Sequence, residues 1–271
     1  SNLTSFEDGK PFESNLPIMI FESYGKNVAS QDRLMQPVTG IFINPGEDGV
    51  ASILDEPEFG GRGGMRFRGQ SSQGFAKKQY ALELWDETSQ DTRAIDASQA
   101  ADQEAGFFGL PEESDWVLYG AYNFDRAHLR NPLIYELSRQ CGRWASRTRF
   151  CEVYFNTGNG SLSSSHYRGI YSFMEKIKRN SGRVDIAKLT EQDNAEPNVS
   201  GGYIMKVDRL DPGDSGLTGA GGLTLGWVEP KEREKTNQQA TWLRNYCNRL
   251  RSSLLSLIHI SEPTRRYAIS Y

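Results

Sequence analysis

The segment Arg66 to Tyr80, RFRGQSSQGFAKKQY, gathers the side chains best suited to holding an anion. An apolar-alternating stretch ends in Arg68-Gly69. Hydroxyls follow at Ser71 and Ser72, then Gly74, then the lysine pair Lys77-Lys78 at the start of the next alternating stretch. Glycine lets backbone N–H groups approach an anion, and hydroxyls and ammonium groups complete a phosphate cradle. The plainer reading of the same residues is a polar hairpin loop with solvated lysines. No GK[ST] triplet is present, so this is no P-loop. The Gly60-Gly61-Arg62-Gly63-Gly64 run just ahead of it reads as a flexible turn.

A second segment, Tyr171 to Ile186 (YSFMEKIKRNSGRVDI), places Glu175 where an apolar strand ends and a basic cluster begins. A carboxylate leaving a buried strand calls for a cationic partner, and Lys77 or Lys78 would serve. The alternative is a strand end that simply enters solvent. A third segment, Asp115 to Leu137, puts Arg130 and Asn131 at a helix start, where capping is the natural role.

These residues need a framework, and the hydrophobic pattern supplies one. Strands are predicted at 16–23, 38–43, 50–54, 64–68 and 79–84. Met65 and Phe67 point inward, as do Tyr80, Leu82 and Leu84. Such alternation suits an antiparallel sheet with one buried face. After a polar, acidic excursion at 86–105 come a strand at 115–119 and a helix. The helix carries Leu129, Leu133, Ile134 and Leu137 on one stripe, with Gly142 as its stop. Pro132 leaves two starts open: Asp125 caps a helix that kinks, or Asn131 is the cap with proline in the first turn. A hairpin at 150–155 and 167–174 follows, then strands at 202–208 and 223–228. A long helix at 231–255 bears Leu243, Tyr246, Leu250 and Leu254 on one face. The sum is an α+β fold with a mostly antiparallel sheet lobe plus helices.

Composition narrows the function classes. The 271 residues are 37% hydrophobic and 24% charged, as in ordinary globular domains. A net charge of −4 gives no basic field to favour nucleic acid. No apolar run is long enough to span a bilayer. Cys141, Cys151 and Cys247 are far apart and form no CxxC pair, and the histidines are scattered, so a zinc site is not expected.

Five strings (RGQSS…KKQYALEL, DWVLYGAYNFDRAHLRNPLIYEL, RTRFCEVYFN, YRGIYSFMEKIKRNSGRVDI and GGYIMKVDR) occur in the order and spacing of the spore coat protein H (CotH) kinase family. The resemblance covers roughly 16–256. It implies an atypical protein-kinase-like fold that uses ATP and Mg²⁺ to phosphorylate Ser or Thr of protein substrates. It is nearer to extracellular or surface-associated bacterial members than to the spore coat enzymes. By that resemblance Lys78, or Lys77, would hold the nucleotide phosphates. Glu175 would pair with the lysine, and Arg68, Ser71 and Ser72 would line the phosphate side.

The family pattern also continues with an Asn-x-Asp-Gly catalytic segment and a Trp-Asp metal segment, and neither follows Leu255. The expectation is therefore a partial kinase-like domain over 16–255, after a polar segment at 1–15 and with an incomplete C-terminal lobe. It would retain the phosphate-binding residues and hold no catalytic or metal ligands. Residues 256–271, SLIHISEPTRRYAISY, resemble the translation of a sequencing adapter. They are expected to be a non-native tail that Ser261-Glu262-Pro263 breaks from the helix. Two other readings remain open at this point. One is a non-catalytic surface module on the same fold. The other is a β-rich carbohydrate-binding module with aromatics exposed on one sheet face and no Lys–Glu pair.

Overall fold

In the computed structural model the described residues are 10–28, 34–69, 71–87, 94–122, 124–208, 210, 213–219 and 222–267. The side chains of Ser71, Gly219 and 257–267 also lie outside the description. The chain forms two compact units, Ser1–Lys176 and Ile177–Tyr271.

The strands of the first unit are β1 (Glu13–Ser14), β2 (Ile18–Glu22), β3 (Leu34–Ile43), β4 (Ala51–Ser52), β5 (Phe59–Phe67), β6 (Tyr80–Trp85), β7 (Ile95–Asp96), β8 (Asp115–Tyr119), β9 (Thr148–Asn156) and β10 (Tyr167–Glu175). Helix α1 (Arg130–Gln140) lies between β8 and β9. Seven strands follow one another in the order β2-β9-β10-β8-β6-β5-β3, and β2 also pairs with β3. The sheet therefore closes into a barrel, with β7 appended to β3. The pairing is antiparallel throughout except for β2 beside β9. The expected one-sided sheet is thus the barrel wall, and its buried face is the barrel interior.

Alternation along each strand fills that interior, as period-2 patterning requires. Met65, Tyr80, Leu82, Leu84, Trp116, Leu118, Tyr171 and Phe173 share one core with Met19, Phe21, Val153 and Phe155. Phe107, Phe108 and Leu110, from the connection before β8, belong to the same core. Trp116 stacks on Phe173 at 4.8 Å between ring centroids, with Phe107 5.1 Å from Trp116. A small barrel filled by side chains in this way is a packed core and no channel.

The glycine run 60–64 is no turn. It lies inside β5, paired with β3 and β6. A Cβ on Gly64 would sit 2.2 Å from the Trp85 ring, and one on Gly63 2.5 Å from the Glu83 carbonyl oxygen. The missing side chain of Gly64 makes room for the Trp85 ring, and that of Gly63 for the Glu83 backbone.

Helix α1 starts at Arg130, and the Asp125 carboxylate accepts the Arg130 N–H at 3.0 Å. Pro132 falls in the first turn, where its missing N–H has no intrahelical partner to lose. Gly142, at φ +73°, follows the C-terminus. The stripe of Leu129, Leu133, Ile134 and Leu137 is exposed rather than packed.

The second unit holds β11 (Ile204–Lys206), β12 (Leu217–Gly219), β13 (Leu223–Glu229) and α2 (Asn237–Tyr267). Both β11 and β12 pair with β13, and Trp227, Leu217 and Leu243 form their core against α2. The helix expected to stop at Leu255 continues through Ser261-Glu262-Pro263 to Tyr267. An internal proline removes one helical hydrogen bond and crowds one carbonyl, while the bonds on either side of it still form. Tyr246, Leu250, Leu254 and Leu255 are exposed along this helix. Among the described residues no helix is long and apolar enough to cross a membrane.

Candidate phosphate-binding end of the barrel

The loop 68–78 closes one end of the barrel between β5 and β6. Its ends are zipped by the Arg68 N–H donating to the Gln79 carbonyl at 2.8 Å. Ser71 opens a short 3-10 turn, Ser71–Gly74. Gly69 precedes that turn at φ +81°, where a side chain would be strained, and a Cβ there would crowd Ser72 Oγ. Side chains then fold the loop on itself. Ser72 Oγ donates to the Arg68 carbonyl at 3.4 Å, and Gln73 Nε2 to the Gly69 carbonyl at 2.6 Å. Phe75 packs on Tyr122 and Phe124, with centroids 5.5 and 5.8 Å away, tying the loop to the connection between β8 and α1.

The two lysines part company here. Lys78 Nζ donates to the Gln73 carbonyl at 2.6 Å, closing the loop from inside. Lys77 turns to the barrel mouth, where its Nζ lies 4.5 Å over the face of Tyr171 and donates to the Ile170 carbonyl. Burial lowers its pKa to about 8, against a smaller opposite pull from the Glu152 carboxylate. Backbone surrounds it closely. A Cβ on Gly120 would meet Lys77 Cγ at 3.1 Å and the Tyr171 ring at 2.9 Å, and one on Gly169 would meet Lys77 Nζ at 3.5 Å.

Glu175 is elsewhere. Its strand shares the sheet with β6 through β8, as expected. The register, however, sets Glu175 level with Trp116 and Leu82. Lys78 lies four residues before Leu82, about 13 Å back along the strand at the usual rise. Glu175 and the lysines therefore sit toward opposite ends of the barrel wall and do not meet. The Glu175 carboxylate instead takes Arg147 in a two-pronged grip. Nε reaches Oε2 at 3.0 Å, Nη2 reaches Oε1 at 2.7 Å, and the Arg147 backbone N–H reaches Oε2 at 2.8 Å. Ser146 Oγ donates to the Glu175 carbonyl at 2.7 Å. Arg139 of α1 donates to the Ser146 carbonyl at 2.7 Å. Glu175 is 1% exposed, and its contacts staple β10 to β9 and to the end of α1.

The structure thus brings Arg68, Ser72, Lys77 and Lys78 together around one loop, with Ser71 in its turn. It leaves Glu175 out of that group. It adds residues outside the anion-holding set read from the sequence. Tyr171 forms the floor under Lys77. Asp125 is buried beside the β8–α1 connection. His128 sits in that connection with left-handed backbone, φ +56°. Only Asp125 carried a sequence signal, as a possible helix cap. Among the described residues no group of three or more His, Cys, Asp or Glu side chains could hold a metal ion. Arg68, Lys77 and Lys78 put three cationic side chains around the loop, and among the described residues no carboxylate set for a metal ion accompanies it.

No curated protein matches the chain. The family model described as CotH kinase protein matches residues 65–267, a span that opens in β5, takes in the loop 68–78 and continues into the second unit to the end of α2. The chain belongs to the CotH kinase family.

Proposed function

We propose that this chain carries the nucleotide-phosphate-binding part of an ATP-dependent Ser/Thr-type protein kinase, with the loop 68–78 as its phosphate-facing element. The observation that carries the reading is the loop itself. A glycine-dependent turn, two serine positions and two lysines stand at one barrel end in a chain of this family. Lys77 and Lys78 supply the charge. Ser72 and the backbone around Gly69 supply hydrogen-bonding groups, and Ser71 joins them from the turn. ATP is the phosphoryl donor in this reading, and proteins with Ser or Thr acceptors receive it. Glu175 contributes by holding Arg147 and the end of β10.

Binding without transfer is the behaviour proposed for the chain as written. Among the described residues no group of three or more His, Cys, Asp or Glu side chains could hold a metal ion beside the loop. Without a carboxylate to orient the acceptor hydroxyl, phosphoryl transfer loses most of its electrostatic stabilisation. Equilibrium titration with ATP, beside incubation with labelled ATP, Mg²⁺ and Ser-rich peptides, tests both halves. Saturable ATP binding that weakens in K78M and K77M, with no label transferred, is expected. Robust transfer that is lost in K78A would show that the catalytic groups lie among residues read here as structural.

One observation favours a second reading, a non-catalytic surface module on the same fold. Both lysine ammonium groups already donate to backbone carbonyls, of Gln73 and Ile170. That reading has the fold bind a nucleotide, glycan or protein partner without phosphoryl transfer, and absence of ATP binding at millimolar nucleotide would favour its glycan or protein form.

A further inference from the structure

We infer that the outer wall of the barrel carries a saccharide-binding corner, built from Phe12, Tyr154 and Tyr167, that takes a single neutral pyranose unit. The inference does not depend on what the loop 68–78 binds. Successive residues of β9 face opposite sides of the sheet. Cys151, Val153 and Phe155 belong to the barrel interior, whereas Tyr154 belongs to a second core on the outer side, with Ile18, Ile43 and Leu162. Phe12, from the segment before β2, packs on that outer core. Tyr167 opens β10 directly across from Tyr154. A cavity of about 370 Å³ is lined by these three rings and by Lys10, Glu13 and Ser164.

The rings meet as a corner and not as a flat shelf. The centroids of Phe12 and Tyr154 are 5.3 Å apart with the planes at 69°, and those of Tyr154 and Tyr167 are 5.2 Å apart at 45°. Phe12 and Tyr167 are 5.8 Å apart at 40°. A shelf would follow a polymer along several sugars. A corner of this volume, at the small end of the range for small-molecule sites, suits one sugar ring or a chain end. It is held from behind. Glu152 is 7% exposed and accepts Ser14 Oγ at 3.0 Å through one oxygen and the Tyr167 hydroxyl through the other. Burying that carboxylate is costly, and the hydrogen bonds it makes fix the Tyr167 ring and β1, the strand that follows Phe12. Glu152 does not itself line the cavity.

The polar groups that do line it are unengaged. Among the described residues the side chains of Lys10, Glu13 and Ser164 make no hydrogen bond or ion pair. Together they offer donors and acceptors, while the charges of Lys10 and Glu13 cancel. A cationic ligand would be opposed by Lys10 and an anionic one by Glu13. A neutral pyranose uses the whole lining: its C–H faces pack on the rings, and its hydroxyls both donate and accept.

Saturation-transfer NMR on the full chain tests this, with methyl β-D-glucopyranoside, methyl β-D-xylopyranoside and choline as probes. Transfer to the ring protons of a glycoside is expected, with a Kd of about 1 mM, as fits a small ligand with few anchors. Ser164 is exposed, so S164W fills the cavity without removing a core contact. It should weaken glycoside binding by about tenfold or more at an unchanged melting midpoint. K10A, at another exposed position, should weaken it about threefold. K77M should leave it unchanged. Unchanged binding in S164W, or in K10A should S164W not fold, places the sugar elsewhere and overturns the site, as does loss of binding in K77M. No transfer to either glycoside, or tighter binding of choline than of the glycosides, overturns the saccharide assignment.

Discussion

If Lys77 holds nucleotide phosphate as proposed, its lowered pKa should make nucleotide affinity depend on pH in a window where an ordinary lysine would give no dependence. Burial at the barrel mouth brings that pKa to about 8. If only the ammonium form holds phosphate, the free chain loses its competent form as pH rises through that value. Raising the pH from 7.5 to 9 cuts the protonated fraction about eightfold, and affinity should fall by that factor, about 1.2 kcal/mol. An unperturbed lysine would lose almost nothing over the same range. ATP is fully ionised across it, and His128, with its pKa below the usual histidine range, is already neutral there. Isothermal titration with ATP at several pH values measures the slope. Lys77→Arg keeps the charge while removing the titration, and should flatten the profile. A flat wild-type profile, or a slope that survives in K77R, would refute the role given to Lys77.

The same depressed pKa bears on stability, with the opposite sign. The unfolded lysine binds a proton up to its ordinary pKa of 10.5, whereas the folded one releases it from about 8, so stability should rise between those values. Urea melts at pH 8 and 10 should show the wild type gaining more than K77M. The Arg147–Glu175 grip sets a second expectation. Arg147→Met removes the two-pronged guanidinium grip from a buried carboxylate and should cost about 3 kcal/mol, lowering the melting midpoint by roughly 6 to 12 °C. R147M/E175Q should recover part of that loss, and no loss in R147M would contradict the pairing. Gly64→Ala drives a methyl into the Trp85 ring and should cost about 2 kcal/mol or more, read from the same melts. Deleting 256–271 should shift the midpoint by less than about 2 °C, because 251–256 are already exposed. A larger drop would show that the segment is structural.

Much of the barrel wall was legible because its strands bury one face. Met65 and Phe67, and Tyr80, Leu82 and Leu84, gave their direction through period-2 alternation alone. Closure was not legible. It depends on β2 pairing with both β3 and β9, contacts between distant segments that leave no local mark. The glycine run of β5 looked like a turn because glycine is a turn residue. At Gly64 the cause is the Trp85 ring and at Gly63 the Glu83 carbonyl, both on the neighbouring strand. The α1 stripe showed correct helical spacing, yet spacing reports which residues share a face and does not say what covers that face. Pro263 was read by a local rule that the continuous helix overrides.

The site divided in the same way. The loop 68–78 was visible from its glycines, hydroxyls and lysines, and the structure keeps them together. Glu175 takes Arg147 and not the expected lysine because a need for a cation does not specify which cation. Strand register put Arg147 within reach and the lysines about four residues too far along. His128 carried no pattern at all. Only the left-handed turn after Asp125 and the burial of Nδ1 single it out.

The most direct test of the account is chemical labelling by an ATP acyl phosphate, which acylates whichever lysine lies against the nucleotide phosphates. Treatment of the folded chain, tryptic digestion and mass spectrometry should place the acyl group on Lys77 or Lys78. Excess ATP should suppress it, and an acyl phosphate without adenosine should not reproduce it. Labelling confined to other lysines, or labelling at Lys77 and Lys78 that excess ATP leaves unchanged, would contradict the assignment of this loop as the phosphate site.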